Sequence, residues 1–442
     1  MKHYPQGWYR IFLLAIVVLA NVAASYEGNL APIVPLLLPF LGISSATYGL
    51  FAAITVAITA IVAVGVGPYA DRFGRSIFVL MGILLTTIFV FVFANISTLP
   101  QFVAVRVLLG IVDGLTLTPI AGLIRDFSPQ MGRGLAYAFW TLGPVGGPFL
   151  ANGVAAWTLP LFGTWQSQIY IIGSVCTAVW VLIFSALRDL SPQLRLQVIR
   201  DESDIEKVNR QGPLQAELKP PPGMRFLIKK PRVWLQPFGI ALFLPIYFTM
   251  LVYGPLFFSE AYAVSVQQAS LLSMFFWIGT FIGLIGTGWL SDRLGLRKIV
   301  TLCGAIAAVV FNPIWIVAAM GPQTPLNVVA PFALISGLTI ASAYSTWMAM
   351  FSENLEEVHP GIQATGWGVF GFAMRLMSLL VALFAPRVVA MFGGWRSWFW
   401  IAEIAMIVYL FFPFLAYGPW LSLRRRKTET ASLTAGQTVG ID

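Results

Sequence analysis

Residues 67–77 read GPYADRFGRSI, and residues 288–299 read GWLSDRLGLRKI. Each stretch closes a long run without a charged residue, and the second begins 221 positions after the first, which is half of the 442-residue chain. This offset superimposes the Gly, Asp and Arg positions of the two stretches: Gly67 on Gly288, Asp71 on Asp292, Arg72 on Arg293 and Gly74 on Gly295. The sequence therefore predicts a duplicated chain with two halves of parallel topology.

The composition excludes a soluble globular protein. Hydrophobic residues make up 58% and charged residues 10% of the chain, with a mean hydropathy of +0.81, whereas soluble domains are about one quarter charged. A span needs about 20 apolar residues, and only helices or closed barrels satisfy their backbone in lipid. The apolar runs are continuous rather than alternating, which predicts an all-α membrane protein.

Twelve apolar runs lie between polar or Pro/Gly-containing breaks. The first run contains Glu27 and lacks a small-residue cleavage site, so we interpret it as a retained span rather than a signal peptide. The predicted spans are 11–38, 45–66, 77–97, 101–123, 134–157, 166–187, 235–258, 269–290, 299–319, 327–351, 363–386 and 397–419.

Basic residues predict the orientation and the domains. With both termini in the cytoplasm, all but four of the 27 Lys and Arg residues fall on cytoplasmic segments, as the positive-inside rule expects. The net charge of +9 then belongs beside anionic lipid and does not indicate nucleic-acid binding. We predict a six-helix bundle over 1–187, a cytoplasmic linker over 188–233, a second bundle over 234–421 and a cytoplasmic tail over 422–442.

The two opening stretches resemble the loop motif of the major facilitator superfamily: Gly, three residues, Asp-Arg, one residue, then Gly-Arg-Arg/Lys. The first copy has Ser76 at the last basic position, and the second has Leu296 before its basic pair. The resemblance also covers the twelve-span layout, and it implies a multi-pass secondary transporter of the cell membrane. It further implies that charges of the motif hold the two halves together when the outer side is open. We call these residues the latch residues: Gly67, Asp71, Arg72, Gly74, Arg75, Gly288, Asp292, Arg293, Gly295 and Arg297.

Other energy sources and catalytic chemistries lack their motifs. The sequence has no Gly-x4-Gly-Lys-Ser/Thr phosphate loop, and neither His3 nor His359 has a Cys or His neighbour at metal-ligand spacing. Cys176 and Cys303 both fall in predicted spans, which does not support a disulfide framework. We expect a transporter driven by an ion gradient, not an enzyme, without metal or cofactor.

Ionisable residues inside spans cost about 2.5–3.5 kcal/mol each on insertion scales, so they are candidates for function. Arg106 and Asp113 lie seven residues apart in the fourth span, which puts a cation and a titratable acid on one helix face. Glu27 precedes two prolines in the first span, and Arg375 lies deep in the eleventh. Glu260 and Glu403, near predicted outer ends, are interpreted as interfacial.

Arg106 and Gly110 resemble the Arg-x3-Gly motif of the superfamily's fourth span, and the region of Glu27 resembles the first span of its proton-coupled organic-acid carriers. An Arg and an acid seven residues apart are also similar to the anion:cation symporter branch. The resemblance implies that Glu27 and Asp113 exchange protons. The residues expected to contact the solute are Arg106, Arg375, Asn29, Tyr253, Tyr344 and Trp347.

The interpretation that we favour is a monomeric carrier that moves a small organic acid anion together with protons. The stretch FWTLGPVGGPFL, residues 139–150, resembles the fifth-span motif of drug antiporters and keeps open the alternative of proton-coupled drug efflux. Close packing on small residues is another explanation of the same stretch. A non-transporting membrane sensor is the remote alternative.

Overall fold

A computed structural model describes residues 5, 7–127, 133–190, 229–358, 363–416 and 420. Over these residues the chain forms twelve helical rods, which correspond one to one with the predicted spans. The first half contains α1 (Gly7–Gly28, continued by Val34–Leu41), α2 (Ser45–Phe73), α3 (Arg75–Phe93), α4 (Leu99–Phe127), α5 (Arg133–Phe162) and α6 (Trp165–Ala186). The second half contains α7 (Pro231–Phe243, continued by Pro245–Tyr262), α8 (Val266–Leu294), α9 (Arg297–Ala318), α10 (Leu326–Val358), α11 (Gln363–Phe392) and α12 (Trp395–Tyr409).

Eleven membrane-spanning candidates, by length and apolar composition, occur among the described residues. The rod outside that set is α5, which carries Pro144, Pro148 and Pro160 inside the helix. Large apolar side chains such as Trp8, Trp157 and Phe411 are exposed on the bundle, as expected of a surface that faces lipid. The chain is therefore a multi-pass membrane protein.

The first rod of each half is interrupted by proline. In α1 the helix stops at Gly28 and resumes after a 3-10 turn over Ala31–Ile33, which contains Pro32. In α7 the interruption falls at Leu244, directly before Pro245. Proline has no N–H group for the helical ladder, so the interruption follows from the sequence. Backbone groups released at such breaks become available to side chains and ligands.

The glycines of the two opening stretches make the turns that the motif predicts. Gly74 separates α2 from α3 with φ of +110°, and Gly295 caps α8 with φ of +64°. L-residues with a side chain rarely adopt such angles, whereas glycine does so without a steric penalty. The duplicated sequence thus produces a duplicated sharp turn after the second rod of each half.

Among the described residues, the halves meet mainly through three pairs of rods, α1 with α7, α2 with α11, and α5 with α8, and α5 also contacts α10. The second rods of the two halves are α2 and α8, and the fifth rods are α5 and α11. The α2–α11 and α5–α8 pairs are therefore equivalent, which is the symmetry expected of a duplicated chain. Within the halves, α2 packs on α4 and α8 packs on α10.

Some predicted boundaries differ from the helices or lie beyond the description. The α7 rod begins at Pro231, slightly before the predicted start of the second half at residue 234. Residues 191–228 of the predicted linker and 421–442 of the predicted tail region lie outside the described residues. The orientation of the chain in the membrane stays a prediction. Using that orientation, we call the end of the bundle at which α1 ends and α2 begins the outer end.

Candidate functional site

The two halves touch at the outer end through side chains of the first and second rods. The Asn29 Nδ2 donates a hydrogen bond to the carbonyl oxygen of Leu251 at 3.2 Å. The Tyr253 hydroxyl donates to the carbonyl oxygen of Ala382 at 2.8 Å, and its ring lies 6.1 Å from that of Tyr48. These contacts link α1 and α2 to α7 and α11. We call Tyr48, Gly49, Tyr253 and Ala382 the outer gate, and it is closed in this structure.

Gly49 permits the closest approach within the outer gate. A Cβ atom at this position would overlap the carbonyl oxygen of Ala382 and the hydroxyl of Tyr253. Because one of these atoms belongs to the backbone of a packed helix, a small rotamer change cannot relieve the overlap. The closed gate therefore requires glycine at position 49.

Arg106 lies beneath the outer gate on α4. The residue is only 9% exposed, and its Nη1 atom has no hydrogen-bond partner among the described residues. Tyr48 is close enough for the charge of Arg106 to act on its hydroxyl. Tyr48 also packs on Phe102, one turn before Arg106, with ring centroids 6.5 Å apart. A buried cation thus adjoins the residues that close the outer end.

Arg375 is the second cation that the sequence predicts to contact the solute. Its side chain is half-buried on α11, and Nη1 donates to the carbonyl oxygen of Gly371 on the same helix at 3.2 Å. Across the described part of the chain, no carboxylate forms an ion pair with Arg106 or Arg375. Neither positive charge is therefore neutralised by a carboxylate of the described residues.

The two predicted proton carriers differ in what the structure describes. Asp113 is half-buried on α4, two turns after Arg106, and it interacts with another group of the protein. Gly110 lies between them and packs against Thr55 of α2. Glu27 occupies the last turn of the first segment of α1, but its side chain lies outside the described residues. The shared face of Arg106 and Asp113 agrees with the predicted spacing.

Aromatic residues from four rods of the second half form a continuous layer, which we call the aromatic layer: Tyr247, Trp277, Tyr344, Trp347 and Phe370. The ring centroids of Tyr247 and Trp277 are 5.3 Å apart, and those of Tyr247 and Tyr344 are 6.3 Å apart. Trp347 stacks on Phe370 at 5.5 Å. The structure therefore brings the predicted Tyr344 and Trp347 together, while the predicted Tyr253 lies in the outer gate.

The first copy of the latch residues ties α3 to its neighbours in the same half. The Arg75 Nη1 donates to Asp126 Oδ1 at 2.8 Å and to the carbonyl oxygen of Gly122 at 2.9 Å, both on α4. Ser76, which replaces a basic residue, donates its hydroxyl to Asp189 Oδ2 at 2.7 Å. Arg72 is exposed, and the surroundings of Gly67 and of the Asp71 side chain lie outside what the structure describes.

The second copy repeats this arrangement. The Arg297 guanidinium pairs with Asp292 at 2.5 Å and with Glu353 of α10 at 3.1 Å. Gly288 approaches Ser345 of α10, and Arg293 lies over the ring of Trp289. In both copies the described charges pair within their own half while the outer gate is closed. Contact between the halves through the latch residues stays a prediction for the conformation with an open outer gate.

Sequence reasoning missed several of these partners. Asp126, Asp189 and Glu353 lie at the ends of rods, where a charge is indistinguishable from an ordinary loop charge. Glu403 was interpreted as interfacial, but the structure buries it to 1% exposure because it faces the inside of the second bundle. In the structure Phe399, Ala402 and Met406 share the buried face of Glu403, but the sequence of α12 is apolar on all faces near Glu403 and gave no signal of this burial.

The stretch 139–150 forms part of α5, and α1 packs closely against its glycines. A Cβ atom at Gly143 would overlap Asn21, and one at Gly147 would overlap the backbone around Ser25. This contact supports the explanation by close packing of two rods on small residues. It gives no separate support to the drug-antiporter alternative.

Comparison with known proteins agrees with this geometry. The family model of the Major Facilitator Superfamily matches residues 11–382 and 257–437. The chain is 25% identical to the phosphoglycerate transporter protein of Salmonella typhimurium, over 95% of this chain and 92% of the relative. It is 25% identical to the 4-hydroxybenzoate transporter of Pseudomonas aeruginosa, over 77% of this chain and 78% of the relative. The crystal structure of a D-xylose-proton symporter superposes with a TM-score of 0.68 at 16% identity, over 92% of this chain and 97% of that one.

Proposed function

Since the chain belongs to the Major Facilitator Superfamily and is a secondary transporter rather than an enzyme, we propose that its solute is a small organic acid anion. The anion moves together with protons, by symport, as the two halves alternately open to either side of the cell membrane. The chain acts as a monomer, because each chain holds both halves. The relatives that align with three quarters or more of the chain have transporter names, whereas a membrane sensor protein of Escherichia coli aligns with 52% of it, so the sensor alternative is not favoured.

One observation carries this proposal: Arg106 and Arg375 are buried or half-buried cations without a carboxylate partner in the described chain. A guanidinium in a span is costly unless its charge is compensated. A carboxylate or phosphate of the solute compensates it and can accept two parallel hydrogen bonds from the planar donor. Arg106 supplies this contact beneath the outer gate.

The names of the relatives also support an acidic solute. Phosphoglycerate, hexose phosphate and 4-hydroxybenzoate, the solutes in their names, all carry a phosphate or a carboxylate. The aromatic layer gives the apolar part of an organic acid a surface on which to pack. Glu27 and Asp113 provide the proton sites, and protonation of an acid near Arg106 leaves the guanidinium to the solute.

The proposal is tested by solute binding and uptake in proteoliposomes with a screen of carboxylates, phosphate esters and organic cations. Arg106→Ala should abolish anion binding, and Arg106→Lys should bind weakly, since lysine replaces the planar fork by a point charge. Loss of a buried charge-assisted contact weakens affinity by roughly 2–5 kcal/mol. Arg375→Ala should also weaken binding.

Arg387→Ala is the matched control, since Arg387 lies on the same helix as Arg375 but is exposed. It should bind the anion like the wild type. Unchanged anion affinity in Arg106→Ala would overturn the proposal. Binding of organic cations that persists in that variant, together with an altered pH profile, would establish the drug-antiporter alternative instead.

A further inference from the structure

Glu403 is a buried acid that the proposed transport cycle does not use. It lies on α12, eight residues after Trp395 and thus about 12 Å along the helix axis, within a hydrocarbon layer of about 30 Å. The residue is 1% exposed, and neither carboxyl oxygen has a hydrogen-bond partner among the described residues.

The surroundings of Glu403 are apolar. Phe399, one turn earlier, packs its ring on Phe257 at 4.7 Å and on Trp315 at 5.7 Å. Met406, one turn later, is fully buried. An ionised carboxylate without a partner is very costly in such an environment, whereas the neutral acid is tolerated. Its burial without a partner therefore favours the neutral, protonated form of Glu403.

Groups on the neighbouring rods do not neutralise this acid. Two of these groups form hydrogen bonds with other residues. Glu260 accepts a hydrogen bond from Trp395 at 2.7 Å, and Arg396 donates one to the carbonyl oxygen of Met320 at 2.7 Å. Over the described residues, no titratable or charged group on α12 or the rods packed against it bonds to Glu403. These groups are Arg232, Tyr247, Tyr253, Glu260, Tyr262, Arg297, Lys298, Cys303, Arg375, Arg387, Arg396 and Tyr409.

A donor for the ionised form lies one turn away. The Asn312 Nδ2 on α9 points at the sulfur of Met406 at 3.8 Å, and its Oδ1 accepts from the Ser336 hydroxyl at 2.8 Å. A thioether is a weak acceptor. Residues three apart on a helix are neighbours, so the Asn312 amide is placed to turn from Met406 to a charged Glu403.

We propose that Glu403 is a proton-binding site of the second bundle, separate from Glu27 and Asp113, which is loaded while the outer gate is closed. When the acid ionises, its proton passes to water, and the carboxylate accepts a hydrogen bond from Asn312. The packing of α12 on α9 then depends on pH, whatever the solute is. This inference goes beyond the proposed function and requires neither solute nor gradient.

Infrared spectroscopy of the purified protein without solute tests the proton directly. At neutral pH the wild type should show the carbonyl stretching band of a protonated carboxyl group. Glu403→Gln should lose the intensity of one group, and Glu403→Asp should shift the band because it keeps a carboxyl group. Glu357→Gln, which changes an exposed acid of α10, is the matched control and should leave the band unchanged.

Thermal unfolding gives a second measurement. From neutral to alkaline pH, the melting temperature of the wild type should fall further than that of Glu403→Gln, because only the wild type must ionise a buried acid. The fall should be deeper in Asn312→Ala, since the charged form loses its donor. Equal band intensity in wild type and Glu403→Gln, or an equal fall in all three proteins, would overturn the proposal and leave the solute assignment untouched.

Discussion

Charged residues inside the rods show how single positions encode transport. The spans contain very few charged residues, but Arg106 and Asp113 both lie on α4, two turns apart. Insertion of each such charge into the membrane costs about 2.5–3.5 kcal/mol on insertion scales, so a charged residue inside a span is a candidate for function. In the proposed mechanism, a fixed cation and a titratable acid on one face allow the solute and the proton to interact through one helix.

Replacement of the acids should separate uphill transport from exchange. We expect Asp113→Asn and Glu27→Gln to lose gradient-driven accumulation, because a group that cannot release a proton cannot couple it to the solute. Exchange of solute across the bilayer should persist, since exchange requires no net proton transfer. Uptake of labelled solute into proteoliposomes with an imposed pH gradient, and then with solute on both sides, measures the two activities.

Glu260→Gln serves as the control for loss of an acid. Glu260 lies at the outer end of α7, where it accepts a hydrogen bond from Trp395. This variant should accumulate solute like the wild type. Full proton-driven accumulation by both Asp113→Asn and Glu27→Gln would show that neither residue carries the coupling proton.

At the scale of helices, small side chains decide where two rods can approach. Gly49 lets α2 reach the backbone of α11 in the outer gate. The N-terminus of α3 is stabilised in a different way: the Ser76 amide donates to Asp189 Oδ2 at 3.1 Å, although Asp189 comes after α6. A carboxylate is favourable at a helix N-terminus. This contact joins the ends of α3 and α6.

Gly49→Ala should prevent closure of the outer gate and shift the protein toward a conformation with the outer end open. The added methyl group overlaps the Ala382 carbonyl oxygen in the closed gate, and an open gate removes that overlap. Spin labels on Ser44 and Gln323, one near the outer end of each half, report the separation in protein without Cys176 and Cys303. We expect a longer distance and slower transport.

Gly65→Ala is the matched control for this variant. Gly65 lies on the same helix, and a Cβ atom there meets nothing within 4 Å. Its distance distribution should match that of the wild type. A Gly49→Ala protein that folds and keeps the wild-type distance would show that the α2–α11 contact does not control the outer end.

For the whole molecule, the sequence predicted the duplication of the chain and the positions of its apolar helices. Twelve runs and a 221-residue offset specified twelve rods and two halves, because span length and glycine turns are local properties. Contacts between distant segments, such as Asp189 with Ser76, have no local signal. Burial of Glu403 depends on the rotation of α12 in the bundle, and the apolar residues on both sides of Glu403 in sequence leave that rotation ambiguous. The predicted roles of the site residues await measurement.

The role that we predict for the latch residues connects these scales, because it concerns the equilibrium between two arrangements of the halves. Asp71→Asn should slow turnover far more than it weakens solute binding, since the turn after α2 biases conformations without contacting the solute. Asp292→Asn should have a smaller effect, because the basic end of the second copy is displaced by one residue. Transport rates at saturating solute, with affinities from equilibrium binding, separate the two effects. Weaker binding with wild-type turnover at saturation would assign Asp71 to the solute site and remove its role in the conformational equilibrium.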